Sequence, residues 1–180
     1  MANKKRCIYI GMMIIFAIYL VFANQIVLCF NNDAVIKKAK FSDFEGNSEV
    51  VFSLSIGENV GGLLEKCYIN GWAFCETEQD NANKEIKLLF KDKLSDVCYV
   101  VENHAQLRHD VYGVFKDEKN IYNGLAGLET QFPTLSFKEG EYELFLYVRE
   151  NEINYGVVTT NMIYKKVGNE FIYCETKPSG

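Results

Sequence analysis

From Cys7 to Phe30 the chain runs for 24 residues without a charge (CIYIGMMIIFAIYLVFANQIVLCF), directly behind the cluster Lys4, Lys5 and Arg6. About 20 consecutive apolar residues cross the hydrocarbon core of a bilayer as a helix. There every backbone group must be satisfied within the helix itself, and a run of this length can do so. The stretch therefore predicts a transmembrane α-helix over 7–30. The basic flank is expected to stay cytoplasmic, which makes 1–6 a cytoplasmic N-terminus and puts 31–180 outside the cell membrane, held by an uncleaved signal anchor. Three other readings compete. A signal peptide cleaved near Val21-Phe22-Ala23 would release the rest as a secreted protein. A lipoprotein modified at Cys29 would need a smaller residue than Leu28 before it. A buried core helix of a soluble protein is the third. The apolar run continues through Ile26–Phe30, past the cleavage position, and for that reason the anchor is preferred to cleavage.

Charge divides with this topology. All three cations of the first 30 residues precede the apolar run, so residues 31–180 hold 16 Lys and Arg against 24 Asp and Glu. An acidic segment lacks the basic patch that nucleic-acid binding needs, so no nucleic acid is expected as a partner. The same charge disfavours anionic head groups and broad contact with a polyanion.

Residues 31–48 are polar and mixed in charge, and read as a stalk. From Glu49 onward apolar and polar residues alternate with a period near two between short turn-rich stretches. Val50–Ile56, Leu64–Phe74, Glu85–Phe90, Val97–Val101, Glu141–Arg149, Ile153–Tyr164 and Glu170–Cys174 read as strands. Tyr112–Phe115 and Asn123–Thr130 are weaker strand candidates. In Glu141–Arg149, Tyr142, Leu144, Leu146 and Val148 share one face. The pattern predicts an all-β, immunoglobulin-like two-sheet sandwich over 49–176, preceded by the transmembrane helix.

CYINGWAFC, residues 67–75, poses a local choice. Asn-Gly is a strong hairpin signal, and a hairpin would bring Cys67 and Cys75 together. As one strand, eight steps of 3.3 Å place them about 26 Å apart, far beyond the roughly 7 Å that a disulfide spans. A hairpin leaves Trp72 exposed at its tip. One strand puts Tyr68, Asn70, Trp72 and Phe74 on one face and Cys67, Ile69, Ala73 and Cys75 on the other. The strand is the reading adopted, with Gly71 and Trp72 as structural residues and no Cys67–Cys75 bridge. Cys67, Cys75, Cys98 and Cys174 allow three complete pairings; buried free thiols are the alternative. Their spacing fits neither a zinc site nor a redox C-x-x-C.

Arg108-His109-Asp110 is the densest polar cluster. As a ligand site, Arg108 forks onto a carboxylate or phosphate, Asp110 accepts sugar hydroxyls and Tyr112 stacks beside them. As a loop anchor, Asp110 caps turn amides while Arg108 bonds loop carbonyls or pairs with Asp110; this structural reading is preferred. His104 and His109, the only histidines, lack a third ligand at metal-site spacing. No G-x-S-x-G elbow occurs, no pair of carboxylates stands out for glycoside hydrolysis, and Gly57–Gly62 lacks the lysine of a phosphate loop. No catalytic residue, cofactor or metal is expected.

Several elements recur together from Cys67 onward: Ile69-Asn70-Gly71-Trp72-Ala73, Leu88-Leu89-Phe90, Arg108-His109-Asp110-Val111, Gly124-Leu125-Ala126-Gly127-Leu128, and Gly140-Glu141-Tyr142-Glu143-Leu144 with Tyr147-Val148. In order and spacing they resemble β-sandwich modules of Gram-positive cell-surface and envelope-glycan proteins, including those beside teichoic-acid-type glycerophosphotransferases. The resemblance implies an all-β accessory module and carries over no catalytic residue, because the transferase chemistry of that family lies in a separate domain. The function expected is a membrane-anchored, non-catalytic binding or scaffolding module of a bacterial cell envelope, with an envelope glycan or envelope protein as partner. The alternative is an accessory subunit of a membrane enzyme or transport complex for envelope polysaccharide, recognised through the helix. A hydrolase ranks last.

Overall fold

A computed structural model describes residues 9–19, 34–57, 65–76, 84–117 and 124–174. The chain divides into two compact units, Met1–Asp33 and Ala34–Gly180. In the first, residues 9–19 form a helix, α1. Eleven residues rise about 16 Å, roughly half a bilayer core, and no helix among the described residues is long and apolar enough to cross a membrane. Of the transmembrane helix expected over 7–30, residues 9–19 are described and helical; the remainder, 7–8 and 20–30, lies outside the described residues.

The second unit is built from two antiparallel sheets. The strands are β1 (Ile36–Lys40), β2 (Val50–Ile56), β3 (Lys66–Cys75), β4 (Glu85–Asp92), β5 (Val97–His104), β6 (Gln106–Leu107), β7 (Leu125–Pro133), β8 (Gly140–Arg149), β9 (Tyr155–Val167) and β10 (Glu170–Cys174). One sheet has the order β1-β5-β4-β8-β9-β10, the other β2-β3-β7-β6. Their inner faces meet in one core. Ile69, Ala73, Leu128 and Phe132 of the small sheet pack with Leu88, Phe90, Val101, Leu144 and Leu146 of the large one. Phe90 lies at the centre of an aromatic cluster, with the rings of Phe132, Phe137, Tyr164 and Phe171 at 5.3–5.6 Å. Tyr142, Leu144, Leu146 and Val148 are buried on one face of β8, as its alternation requires.

CYINGWAFC is a single strand. Cys67, Ile69, Ala73 and Cys75 are buried between the sheets, and Cys67 and Cys75 are free thiols. The opposite face carries Trp72 and Phe74. That face is closed by a seven-residue helix, α2 (His109–Phe115), whose Val111 and Phe115 pack on the two rings and on Ala126. Phe115 lies 5.3 Å from Trp72 and 5.5 Å from Phe74. Tyr112–Phe115, a strand candidate by sequence, is therefore helical. Val111 and Phe115 are four residues apart and share a helix face, and so short a helix is held by that packing rather than by propensity.

The stalk expected over 31–48 is also corrected, because its described part belongs to the domain. Ile36–Lys40 pairs with Val97–Val101 of β5. Phe41 and Phe44 then cover the outer face of the large sheet over Leu89, Cys98 and Val100, with ring contacts to Phe145 and Tyr147. The lysines that give the segment its polar look sit on a sheet edge, where Lys37 pairs with Glu102 at 2.9 Å.

Candidate functional site

α2 covers only one end of the small sheet's outer face. The β3–β7 register sets Trp72 opposite Gly127, Asn70 opposite Glu129 and Tyr68 opposite Gln131. On the other flank Ser55 stands opposite Asn70. Beyond the helix this face forms an open depression of about 290 Å³, lined among others by Tyr68, Asn70, Gln106, Arg108 and Glu129. Gly127 makes room for it. A Cβ there would sit 2.9 Å from Arg108 Cγ and 2.9 Å from the Gln106 carbonyl, so the arginine stem lies across bare backbone.

Arg108 spends three of its five N–H donors within the protein. Its Nε and Nη2 donate to the two carboxylate oxygens of Asp110 at 2.8 and 2.7 Å, and Nη1 donates to the Gly71 carbonyl at 3.2 Å. Such a bidentate pair is the strongest geometry open to these two groups. The hydrogen bonds from Arg108 hold the Asp110 carboxyl well below the usual carboxylate range, and the same contact raises Arg108. Arg108 thus makes the Asp110 pairing of the anchor reading, while its other contact goes to a strand carbonyl rather than a loop one, tying the start of α2 to β3; it also lines the depression. Tyr112, the third residue of the predicted ligand set, does not line it. Tyr112 is 38% exposed on α2, and its amide donates to the Arg108 carbonyl at 3.0 Å. Sequence reasoning missed Tyr68, Gln106 and Glu129 as site residues. The Tyr68 hydroxyl donates to Glu129 Oε1 at 3.0 Å, a pairing that only the register reveals.

The depression combines amide and guanidinium donors with carboxylate and phenol oxygens, which suits hydroxyl groups. Glu129 and Asp110 outnumber Arg108, whose charge Asp110 already neutralises, so the local field does not favour an anion. Both histidines are exposed, His104 at the end of β5 and His109 at the start of α2. Among the described residues no group of three or more His, Cys, Asp and Glu could hold a metal.

A second polar cluster is buried. Lys84 Nζ lies 2.7 Å from Glu150 Oε1, with both side chains 1% exposed. The Cys75 amide donates to the same oxygen at 3.0 Å. Burial pushes the Cys75 thiol up to about 12, and Cys67 and Cys98 likewise to about 12. Raised folded values keep these thiols protonated while an unfolded thiol ionises near about pH 8.5. Their contribution to stability is therefore intact below about pH 8.5 and lost as pH rises toward 12. Denaturant midpoints are expected to fall steadily from about pH 8 to about pH 10, and less steeply once Cys67 and Cys98 are replaced by alanine. Equal slopes in parent and variant would exclude the thiols as the cause. No protein-family model matches this chain, and neither a curated protein nor a solved structure does.

Proposed function

We propose that this chain is a non-catalytic binding module of a bacterial cell envelope, held at the membrane through residues 7–30, that contacts an uncharged envelope glycan through the outer face of its small sheet. The observation that carries the reading is the open depression over Gly127, walled by Tyr68, Asn70, Arg108 and Glu129. Polar groups of both hydrogen-bonding senses converge there on a face that α2 leaves uncovered. Sugar hydroxyls need such a mixture, and Tyr68 adds an aromatic surface for a pyranose ring. The reading includes an immunoglobulin-like sandwich, supported by two antiparallel sheets around one core. Localisation outside the cytoplasm rests on the basic cluster and uncharged run at the N-terminus.

Retention of the full chain on envelope glycan fractions, followed by calorimetric titration, tests this. The double variant Asn70→Ala and Glu129→Gln is expected to bind about tenfold more weakly, with an unchanged melting temperature. Failure of the full chain to retain any glycan would sink the reading. Co-purification with a membrane complex for envelope polysaccharide, without glycan binding, would replace it with the accessory-subunit reading.

A further inference from the structure

Of the side chains around the depression, Arg108 is the one suited to an anion, because a guanidinium takes a carboxylate or phosphate on two parallel N–H bonds. In this fold that grip is already occupied. Asp110 accepts from Nε at 2.8 Å and from Nη2 at 2.7 Å, one oxygen to each. These two nitrogens form the side edge of the guanidinium, and Asp110 holds it as a ligand carboxylate would. Asp110 is not itself among the residues that line the depression. It reaches the arginine from outside the site.

Arg108 has other restraints that do not involve Asp110. Nη1 donates to the Gly71 carbonyl at 3.2 Å, and the stem lies over Gly127, where a Cβ would come within 2.9 Å of Arg108 Cγ. The pair with Asp110 is open to solvent, its two side chains 37% and 66% exposed, and an ion pair so exposed adds little to stability. Its larger consequence is for charge. With Asp110 the cluster holds one cation against two carboxylates, Asp110 and Glu129; without it, one against one. Asp110 stands two positions from Arg108 in the chain, so it competes with a free anion at a high effective concentration. With three of five N–H donors used among the described residues, one remains on each terminal nitrogen. Single donors of that kind suit hydroxyl oxygens.

We propose that Asp110 is the specificity-determining residue of this depression, an internal carboxylate that holds the anion-gripping edge of Arg108 and so restricts the site to uncharged sugars. The inference rests on the glycan-binding reading of the same site, and adds to it the class of ligand refused: sugars that bear a carboxylate or a phosphate. Asp110 does this through Arg108, without touching the ligand.

The test is NMR titration of the full chain with inorganic phosphate and with methyl glucuronide, read at the Arg108 Nε–H and at the amides of Gly71 and Gly127. In the parent neither anion is expected to move these signals. In Asp110→Asn both are expected to move them saturably, with dissociation constants at least about tenfold below the parent's. Asparagine keeps an oxygen for the backbone amides that the Asp110 carboxylate meets at the start of α2, and a melting curve confirms the fold. Asp110→Glu keeps the charge and is expected to refuse both anions. Arg108→Gln/Asp110→Asn is expected to lose the gain, read at the two glycine amides. An Asp110 that served only to anchor α2 would, once replaced, loosen the helix and admit no anion. Folded Asp110→Asn without anion binding, equal anion binding by the parent, or a gain that survives the loss of Arg108 would overturn the proposal. Retention of uncharged glycan by the parent is measured alongside. Retention without the anion gain overturns this inference and leaves the glycan reading standing. The gain without retention overturns the glycan reading and leaves Asp110 as the residue that refuses anions.

Discussion

Replacing Glu150 by alanine is expected to destabilise the domain by about 3–5 kcal/mol. The carboxylate follows β8 directly; its Oε1 lies 2.7 Å from the Lys84 ammonium in an ion pair and accepts from the Cys75 amide at 3.0 Å. Removing it strands a cation whose side chain is 1% exposed, and a buried unpaired charge is far more costly than a lost surface pair. Lys84→Met has the opposite defect, an anion left without its cation, and falls in the same range. The double variant Lys84→Met/Glu150→Leu is expected to recover much of the loss, because an apolar pair of similar volume avoids desolvating two charges.

The pH dependence of Glu150→Ala carries its own sign. Burial already lowers the Lys84 pKa in the parent, and loss of Glu150 lowers it further. Between that depressed folded value and the unfolded lysine near about 10.4, the unfolded chain binds more protons, so stability rises with pH. The gap between Glu150→Ala and the parent is therefore widest near neutral pH and narrows toward about pH 10. Denaturant titrations of both proteins at matched pH measure it, and a gap below about 1 kcal/mol at neutral pH would show that the charge is not stranded.

Gly71→Ala is the second large effect, with an expected loss of about 3 kcal/mol. Gly71 lies mid-strand at φ +154°, and an added Cβ would strike the Ser53 carbonyl oxygen and come within 3.0 Å of Leu54 Cα. Both obstacles are backbone of the neighbouring strand, so relief requires β2 and β3 to separate. The Gly71 carbonyl also accepts from Arg108, and a shift there loosens the start of α2. Gly113 is the control. It lies within α2, where an added methyl group would meet nothing within 4 Å, and alanine there is expected to be neutral or to stabilise by up to about 1 kcal/mol. Comparable losses at the two glycines would mean that crowding at Gly71 is not what sets the cost.

Much of this domain was legible residue by residue. The alternation in EYELFLYVR placed its buried face correctly, and CYINGWAFC resolved as one strand because both its faces are too apolar for a hairpin tip. Segments whose burial depends on a distant surface were misread. Ile36–Phe44 looks like a charged stalk until β5 supplies the edge it pairs with and Phe145 the ring that Phe41 meets. His109–Phe115 is too short to announce a helix, and takes its form from Trp72 and Phe74.

The candidate site shows the same division. Arg108 and Asp110 are two residues apart, so their pairing was accessible from local chemistry. Glu129 reaches Tyr68 across 61 positions, and Lys84 reaches Glu150 across a comparable separation. By itself the sequence determined which side chains in each strand face the same way, because a period of two is written in neighbouring residues. Only the tertiary structure decided which strands lie side by side and in what register, and so where the uncovered polar face and the buried ion pair would fall. Register is the sum of many weak contacts between residues far apart in the chain, and no short stretch contains that sum.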